Sequence, residues 1–167
     1  MQEFTDKNAV LIGRVRFMAQ AAVIGAAYAA LTLVLAPLSY GVMQLRVSEA
    51  LTILPYFTPA AIPGLFIGCL TANIISPYGI VDMICGSLAT LFAACATYAF
   101  RKRRILAPLF PVVFNAVIIG AMLYYAYGVN ASLLLNILWV GAGELIVCYG
   151  AGYPLLRVLE NRREIFK

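Results

Sequence analysis

Four predominantly apolar stretches, residues 17–37, 80–100, 108–127 and 131–156, constrain this chain more than any motif. Each reaches the roughly 20 residues that an α-helix needs to cross a hydrocarbon core about 30 Å thick. Lipid supplies no hydrogen bonds, so segments immersed in it must satisfy their own backbone groups as helices. With 63% hydrophobic and 11% charged residues among 167, there is too little polarity to clothe a water-soluble globule. Soluble, secreted and nucleic-acid-binding classes fall on this count. The sequence has no histidine and no Cys-x-x-Cys, which removes the usual material for a zinc site or a histidine-based triad. Cys69, Cys85, Cys95 and Cys148 each stand alone in apolar surroundings, where a small polarizable side chain packs without a disulfide. The first apolar run is too long for a secretory signal and lacks a cleavage pattern, so it is expected to be retained as a helix. The chain reads as one domain, residues 1–167.

Residues 46–76 are too long for one ordinary span and short for two. Pro55, Pro59 and Pro63 fall within nine residues there and argue against a continuous helix. Basic residues favour the cytoplasmic side of a membrane. They form three groups: Lys7, Arg14 and Arg16; Arg101, Lys102, Arg103 and Arg104; and Arg157, Arg162, Arg163 and Lys167. All three share one side only if residues 46–76 cross twice, as a short helix over 46–56 and another over 60–76. The expectation is therefore an all-α integral membrane bundle of six helices with both termini cytoplasmic. The net charge of +5 is then mainly an orientation signal. Residues 39–45 are expected to fold as a loop over the outer end.

Chemistry is sought in the few polar groups at membrane depth, because an ionisable side chain there is costly and marks function. Arg46 and Glu49 lie three residues apart on one helical face. An ion pair pinning the outer loop is their structural reading. Glu144 follows Gly141-Ala142-Gly143, where small residues let a ligand or another helix approach. Its structural reading is an interhelical hydrogen bond. Because one arginine neutralises one glutamate, a carboxylate is left over for a ligand with a cationic or multiply donating edge. Asp82, near the outer mouth of its helix, reads as an acid favoured by the helix dipole and in reach of water. Asn73, Asn115 and Asn136 are either interhelical glue or ligand contacts, and Asn115 best suits a planar heterocycle. Trp139 shares a helical stripe with Asn136 and Gly143. It reads as a stacking wall or, with Tyr124, Tyr125 and Tyr127, as part of an interfacial aromatic belt. On the first helix, Ala22, Ala26 and Ala30 repeat every four residues. The resulting smooth ridge suits helix contact within the bundle or with a partner.

The run Gln44-Leu45-Arg46-Val47-Ser48-Glu49-Ala50-Leu51-Thr52-Ile53-Leu54-Pro55, preceded by Leu35-Ala36-Pro37-Leu38-Ser39-Tyr40-Gly41, resembles the queuosine-precursor transporter family. The likeness extends over nearly the whole chain, including the alanine-rich first helix and the basic loop before the fifth. The resemblance implies a substrate-binding S-component of an energy-coupling factor (ECF) transporter, a six-helix protein of the bacterial cytoplasmic membrane. It implies partners: a transmembrane coupling protein of the EcfT type and two ATPase subunits that use ATP, with no cofactor in this chain. The family's docking motif falls on Ala22 and Ala26, or on Ala26 and Ala30. The implied solute is a 7-deazaguanine such as queuine or its aminomethyl (preQ1) or cyano (preQ0) precursor. The chemistry of such a ring assigns Arg46, Glu49, Asn73, Asn115, Asn136, Trp139 and Glu144 as substrate contacts. Two alternatives stand beside this reading: an S-component for a different vitamin, and a small intramembrane enzyme using Glu144 or Asp82 as acid or base.

Overall fold

The computed structural model describes residues 2–39, 45–129 and 131–166, and among these the regular structure is entirely helical. Helix α1 (Gln2–Val34) is followed by a single turn, α2 (Ala36–Ser39), then by a 3₁₀ segment (Val47–Tyr56) and α3 (Ala61–Asn73). Helices α4 (Gly79–Ala99) and α5 (Leu109–Tyr125) come next. The last span is α6 (Leu133–Val147), a π-helical turn (Cys148–Gly152) and α7 (Tyr153–Glu160). Four stretches are long and apolar enough to cross a membrane: Val10–Val34, Gly79–Ala99, Arg104–Tyr125 and Leu133–Glu160. Their outer faces carry Val23, Leu88, Phe92, Val117, Leu138 and Ile146, all exposed, as is Ile67 on the shorter α3. Apolar side chains turned outward over the bundle, with polar ones inside, are the arrangement lipid selects.

Helix α1 begins at Gln2, well before the start expected at residue 17. No proline interrupts residues 2–16, so the helix continues past the edge of the hydrocarbon run; its 33 residues make a rod about 50 Å long. The 46–56 segment is 3₁₀ rather than α, with Pro55 inside its last turn. The loop expected over residues 39–45 lies mostly outside the described residues. Two turns rest on glycines with positive φ, Gly79 at +62° and Gly128 at +57°. At the start of α6 the Ser132 hydroxyl accepts from the Leu135 amide at 3.3 Å and caps the helix.

The 3₁₀ segment is the axis of the bundle. It packs against α1, α3, α4, α6, the π turn and α7. Ser48, Glu49, Ala50, Thr52, Ile53, Leu54 and Pro55 are buried within it. At its start Arg46 meets Asp82 in the first turn of α4. At its far end the Tyr56 hydroxyl donates to Glu160 at 2.8 Å, and Phe57 stacks on Phe166 with ring centroids 5.0 Å apart. Glu160 also pairs with Arg104 at 3.6 Å and Arg163 at 3.4 Å, so two of the basic groups meet at one end of the bundle. At the opposite end the Tyr127 hydroxyl donates to the Tyr78 carbonyl and ties the α3–α4 and α5–α6 connections together. One apolar cluster, including Ile24, Tyr28, Ile53, Leu65 and Leu156, lies around the 3₁₀ segment. A second, Ile119, Met122, Leu123 and Val140, closes α5 on α6 beneath Tyr78 and Tyr127.

Helices α1 and α3 approach to backbone contact through glycine. A Cβ on Gly64 would lie 2.6 Å from the Ala21 carbonyl oxygen, and one on Gly68 would lie 2.5 Å from that of Gly25. Neither obstacle is a flexible side chain, so Gly68→Ala is expected to force the helices apart and cost about 1–3 kcal/mol. Gly13→Ala, whose added methyl meets nothing within 4 Å, is expected to be neutral or slightly stabilising. Thermal unfolding in detergent tests the pair, and equal melting temperatures for both variants would contradict the close contact.

Candidate functional site

Seven elements direct polar side chains toward one another in the half of the bundle nearer Asp82, and most of these groups have no access to solvent. The 3₁₀ segment brings Arg46 and Glu49, 2% and 0% exposed. Helix α4 brings Asp82 and Thr90, each 0% exposed. Tyr28 comes from α1, Cys69 and Asn73 from α3, Asn115 from α5, and Glu144 from α6, with Cys148 at the head of the π turn; all are buried.

The cluster has two parts. In the first, Arg46 Nη2 donates to both Asp82 oxygens at 3.2 Å. Ser76 donates to Asp82 Oδ2, and the Asn73 amide donates to the Asp82 carbonyl at 3.3 Å. Gly86 gives this arrangement its room: a Cβ there would lie 2.6 Å from Asn73 Nδ2 and 3.3 Å from Arg46 Nη1. In the second, the Tyr28 hydroxyl donates to Glu49 Oε1, with Thr90 Oγ1 3.4 Å from the same oxygen. Thr90 also stands 3.0 Å from the Gly86 carbonyl, the shorter of the two. The Cys148 thiol lies 3.5 Å from Glu144 Oε2 and 3.8 Å from the Glu49 carbonyl, so a single side chain reaches both glutamates. Asn115 sits close to both glutamates without completing a hydrogen bond to either.

What distinguishes this region is what remains unsatisfied. Among the described residues, Glu49 Oε2, Asn73 Oδ1, both polar atoms of Asn115 and Asn136 Nδ2 are buried without a hydrogen-bond partner. Folded proteins leave few such groups, and in a bilayer each costs several kcal/mol. A carboxylate oxygen, a carbonyl oxygen and the two edges of an amide, from three elements around one region, are the complement of a solute with several donors and an acceptor.

Of the residues assigned from sequence, Arg46, Glu49, Asn73, Asn115 and Glu144 are thus brought together. Asn136 is buried on the same face of α6, two turns from Glu144, or about 12 Å. Trp139 is not: at 46% exposure it points away from Asn136, Val140 and Glu144, because its position on the helix turns it outward. Tyr124 and Tyr125 are likewise exposed, as an interfacial belt requires. Asp82, expected to reach water, is fully buried and is the ion-pair partner of Arg46. That corrects the Arg46–Glu49 pairing, since Arg46 extends across to α4 instead of along its own segment. Tyr28, Thr90, Cys148 and Gly86 had no place in the sequence-based site. A tyrosine in mid-span, far from either interface, was the available signal for Tyr28. Ala22, Ala26 and Ala30 face outward from α1. Ala22 and Ala26 line an apolar groove of about 430 Å³ between α1 and α3, floored by Gly25 and Gly68.

An all-helical bundle with an apolar exterior and a buried, incompletely satisfied polar cluster is the form of a membrane protein that carries polar groups to satisfy in its interior. Residues 18–161 match the family described as QueT transporter, and the chain belongs to that family. Membership places it among transporters rather than enzymes. It is 40% identical over 72 residues to the queuosine precursor transporter QueT of Lactococcus lactis subsp. cremoris (strain MG1363). That match spans 42% of this chain and 42% of the relative. No solved structure matches the chain.

The ion pair yields a test. Asp82→Asn removes the counter-charge of a buried guanidinium and is expected to cost about 3 kcal/mol or more, whereas Arg46→Met combined with Asp82→Asn costs less than Asp82→Asn alone. Thermal unfolding of the single and double variants measures the coupling; strictly additive losses would rule it out.

Proposed function

We propose that this chain is the membrane-embedded substrate-binding subunit of an ECF-type importer, and that its solute is a queuosine precursor of the 7-deazaguanine class. The observation that carries this reading is the convergence of unpartnered buried oxygen and amide atoms from Glu49, Asn73 and Asn115 in a member of a transporter family. The name of the Lactococcus relative supports the choice of solute. The guanine-like edge of a deazapurine presents adjacent N–H donors, which one carboxylate accepts in a bidentate manner. Glu49 takes that role and Asn115 meets a ring edge. Glu144 faces the substituent at the 7-position.

In this reading the chain crosses the bacterial cytoplasmic membrane six times with both termini in the cytoplasm. The 3₁₀ segment and α3 are two short crossings. Ten residues of 3₁₀ helix rise about 20 Å, and thirteen of α-helix also about 20 Å. Both fall short of the hydrocarbon thickness, which suits elements shielded by longer neighbours. Meeting of Arg104 with Glu160 and Arg163 at one end supports the orientation. A coupling protein of the EcfT type docks on Ala22, Ala26 and Ala30, and two partner ATPases supply the energy. The solute enters at the end where Arg46 meets Asp82 and leaves unaltered at the other.

Two measurements test this. Uptake of a radiolabelled 7-deazaguanine into cells is expected to depend on co-expression of the coupling module; uptake that persists without it would refute the energising scheme. Glu144→Gln is expected to weaken deazaguanine binding at least tenfold, about 1.4 kcal/mol, by calorimetry. Wild-type affinity in that variant would take Glu144 out of the site.

A further inference from the structure

Selectivity for one charge class rests on the deazaguanine reading and narrows it. Its basis is a count of buried charge. Among the described residues, Arg46 is the one buried cation, while Asp82, Glu49 and Glu144 are three buried acids. Arg46 holds Asp82 with both oxygens of the carboxylate. Glu49 and Glu144 lie near each other: the Cys148 thiol reaches the Glu144 carboxylate and the Glu49 main-chain carbonyl, and Asn115 lies beside both side chains. The groups that face them complete the inventory. Helix α1 contributes the Tyr28 hydroxyl, already donating to Glu49, and α3 contributes the Cys69 thiol. Helix α4 contributes Asp82 and the neutral Thr90. Helix α5 contributes only the neutral Asn115, and the π turn only the Cys148 thiol. Arg46, besides holding Asp82, also acts on both glutamates, and among the described residues no second buried cation joins it.

Two carboxylates that share a single cation with a third buried acid in a low-dielectric interior do not both ionise, so the pair holds a proton. A neutral solute leaves that proton in place. A solute carrying an ammonium group replaces it, because the ammonium supplies the missing charge and up to three hydrogen-bond donors at once.

We propose that Glu49 and Glu144 select an amine-bearing, cationic 7-deazaguanine over a neutral one, and that its binding expels one proton from the carboxylate pair to bulk water. The exchange balances: one cation enters, one proton leaves, and the charge of the site is unchanged. The sign of the pH dependence follows. An aliphatic amine stays protonated well below pH about 10, so acidification does not alter the ligand but restores the competing proton to the site. Affinity for the amine therefore falls as pH falls, by up to about tenfold per pH unit for one proton exchanged, while affinity for a neutral ligand stays flat.

The experiment uses the full chain in nanodiscs, titrated calorimetrically with 7-aminomethyl-7-deazaguanine and with 7-cyano-7-deazaguanine from pH about 5.5 to 7.5, a window in which the amine stays charged. Running each titration in two buffers of different ionisation enthalpy reads the proton count. The aminomethyl compound is expected to bind at least tenfold tighter near neutral pH and to release about one proton; the cyano compound is expected to release none. In Glu144→Gln the preference is expected to shrink and the proton release to vanish. Equal affinities for the two compounds in the wild-type protein, or tighter binding of the amine with no proton release, would overturn the proposal while leaving the deazaguanine assignment standing. Binding of neither compound would overturn both. The wild-type comparison needs no variant to fold.

Discussion

The bidentate contact between Arg46 and Asp82 is the constraint on which the rest of the interior depends. An isolated guanidinium in a lipid-facing bundle would be severely penalised, and the penalty is offset only if a carboxylate is held at hydrogen-bonding distance in fixed geometry. Holding it requires the first turn of α4, where the backbone dipole also favours Asp82, and it requires Ser76 and Asn73 from the end of α3 and the turn that follows. It requires Gly86 as well, because any side chain there would occupy the space of the Asn73 amide. One pair thereby fixes the start of the 3₁₀ segment against two helices and sets where Glu49, three residues later, comes to rest.

The segment's winding matters as much as its anchor. A 3₁₀ run of ten residues is uncommon, since its hydrogen bonds are poorer than those of an α-helix. Here each turn is supported laterally. Ser48 meets the Thr32 hydroxyl at 2.7 Å, Glu49 meets Tyr28, and Tyr56 meets Glu160. With three residues per turn, Glu49 and Thr52 stack in one line, and Thr52 donates to the Glu49 carbonyl at 2.5 Å. The π turn packed against it is wound more loosely than α, and it begins at Cys148, the residue that reaches both glutamates. Two departures from α geometry thus face each other across the polar cluster, where departures of this kind are most often tolerated.

Much of this was legible in the residues. The apolar runs give four long helices, and the three prolines in residues 55–63 forecast a break where the 3₁₀ segment gives way to α3. The rarity of charge in mid-span picked out Arg46, Glu49 and Glu144. Pairing was not legible: Arg46 and Glu49 share a sequence neighbourhood, but the arginine side chain is long enough to cross to another helix, and sequence spacing does not encode that. Trp139 failed for a related reason, since spacings of three and four place residues on one broad face without saying where that face meets its neighbours. Tyr28 was hidden among alanines. In that setting a lone hydroxyl reads as an impurity in a packing surface, yet it supplies the described donor closest to Glu49.

The glycine contact between α1 and α3 carries a mechanical meaning. Where two rods touch through main-chain atoms at Gly25, Gly64 and Gly68, no side chain lies between them to bend or change rotamer. Sliding one past the other would drive carbonyl into Cα, so the pair behaves as a single stiff plank. Tyr28 on one rod and Asn73 on the other are therefore held at a fixed offset, so the two sides of the polar interior that they supply are spaced by main-chain contact rather than by side-chain packing.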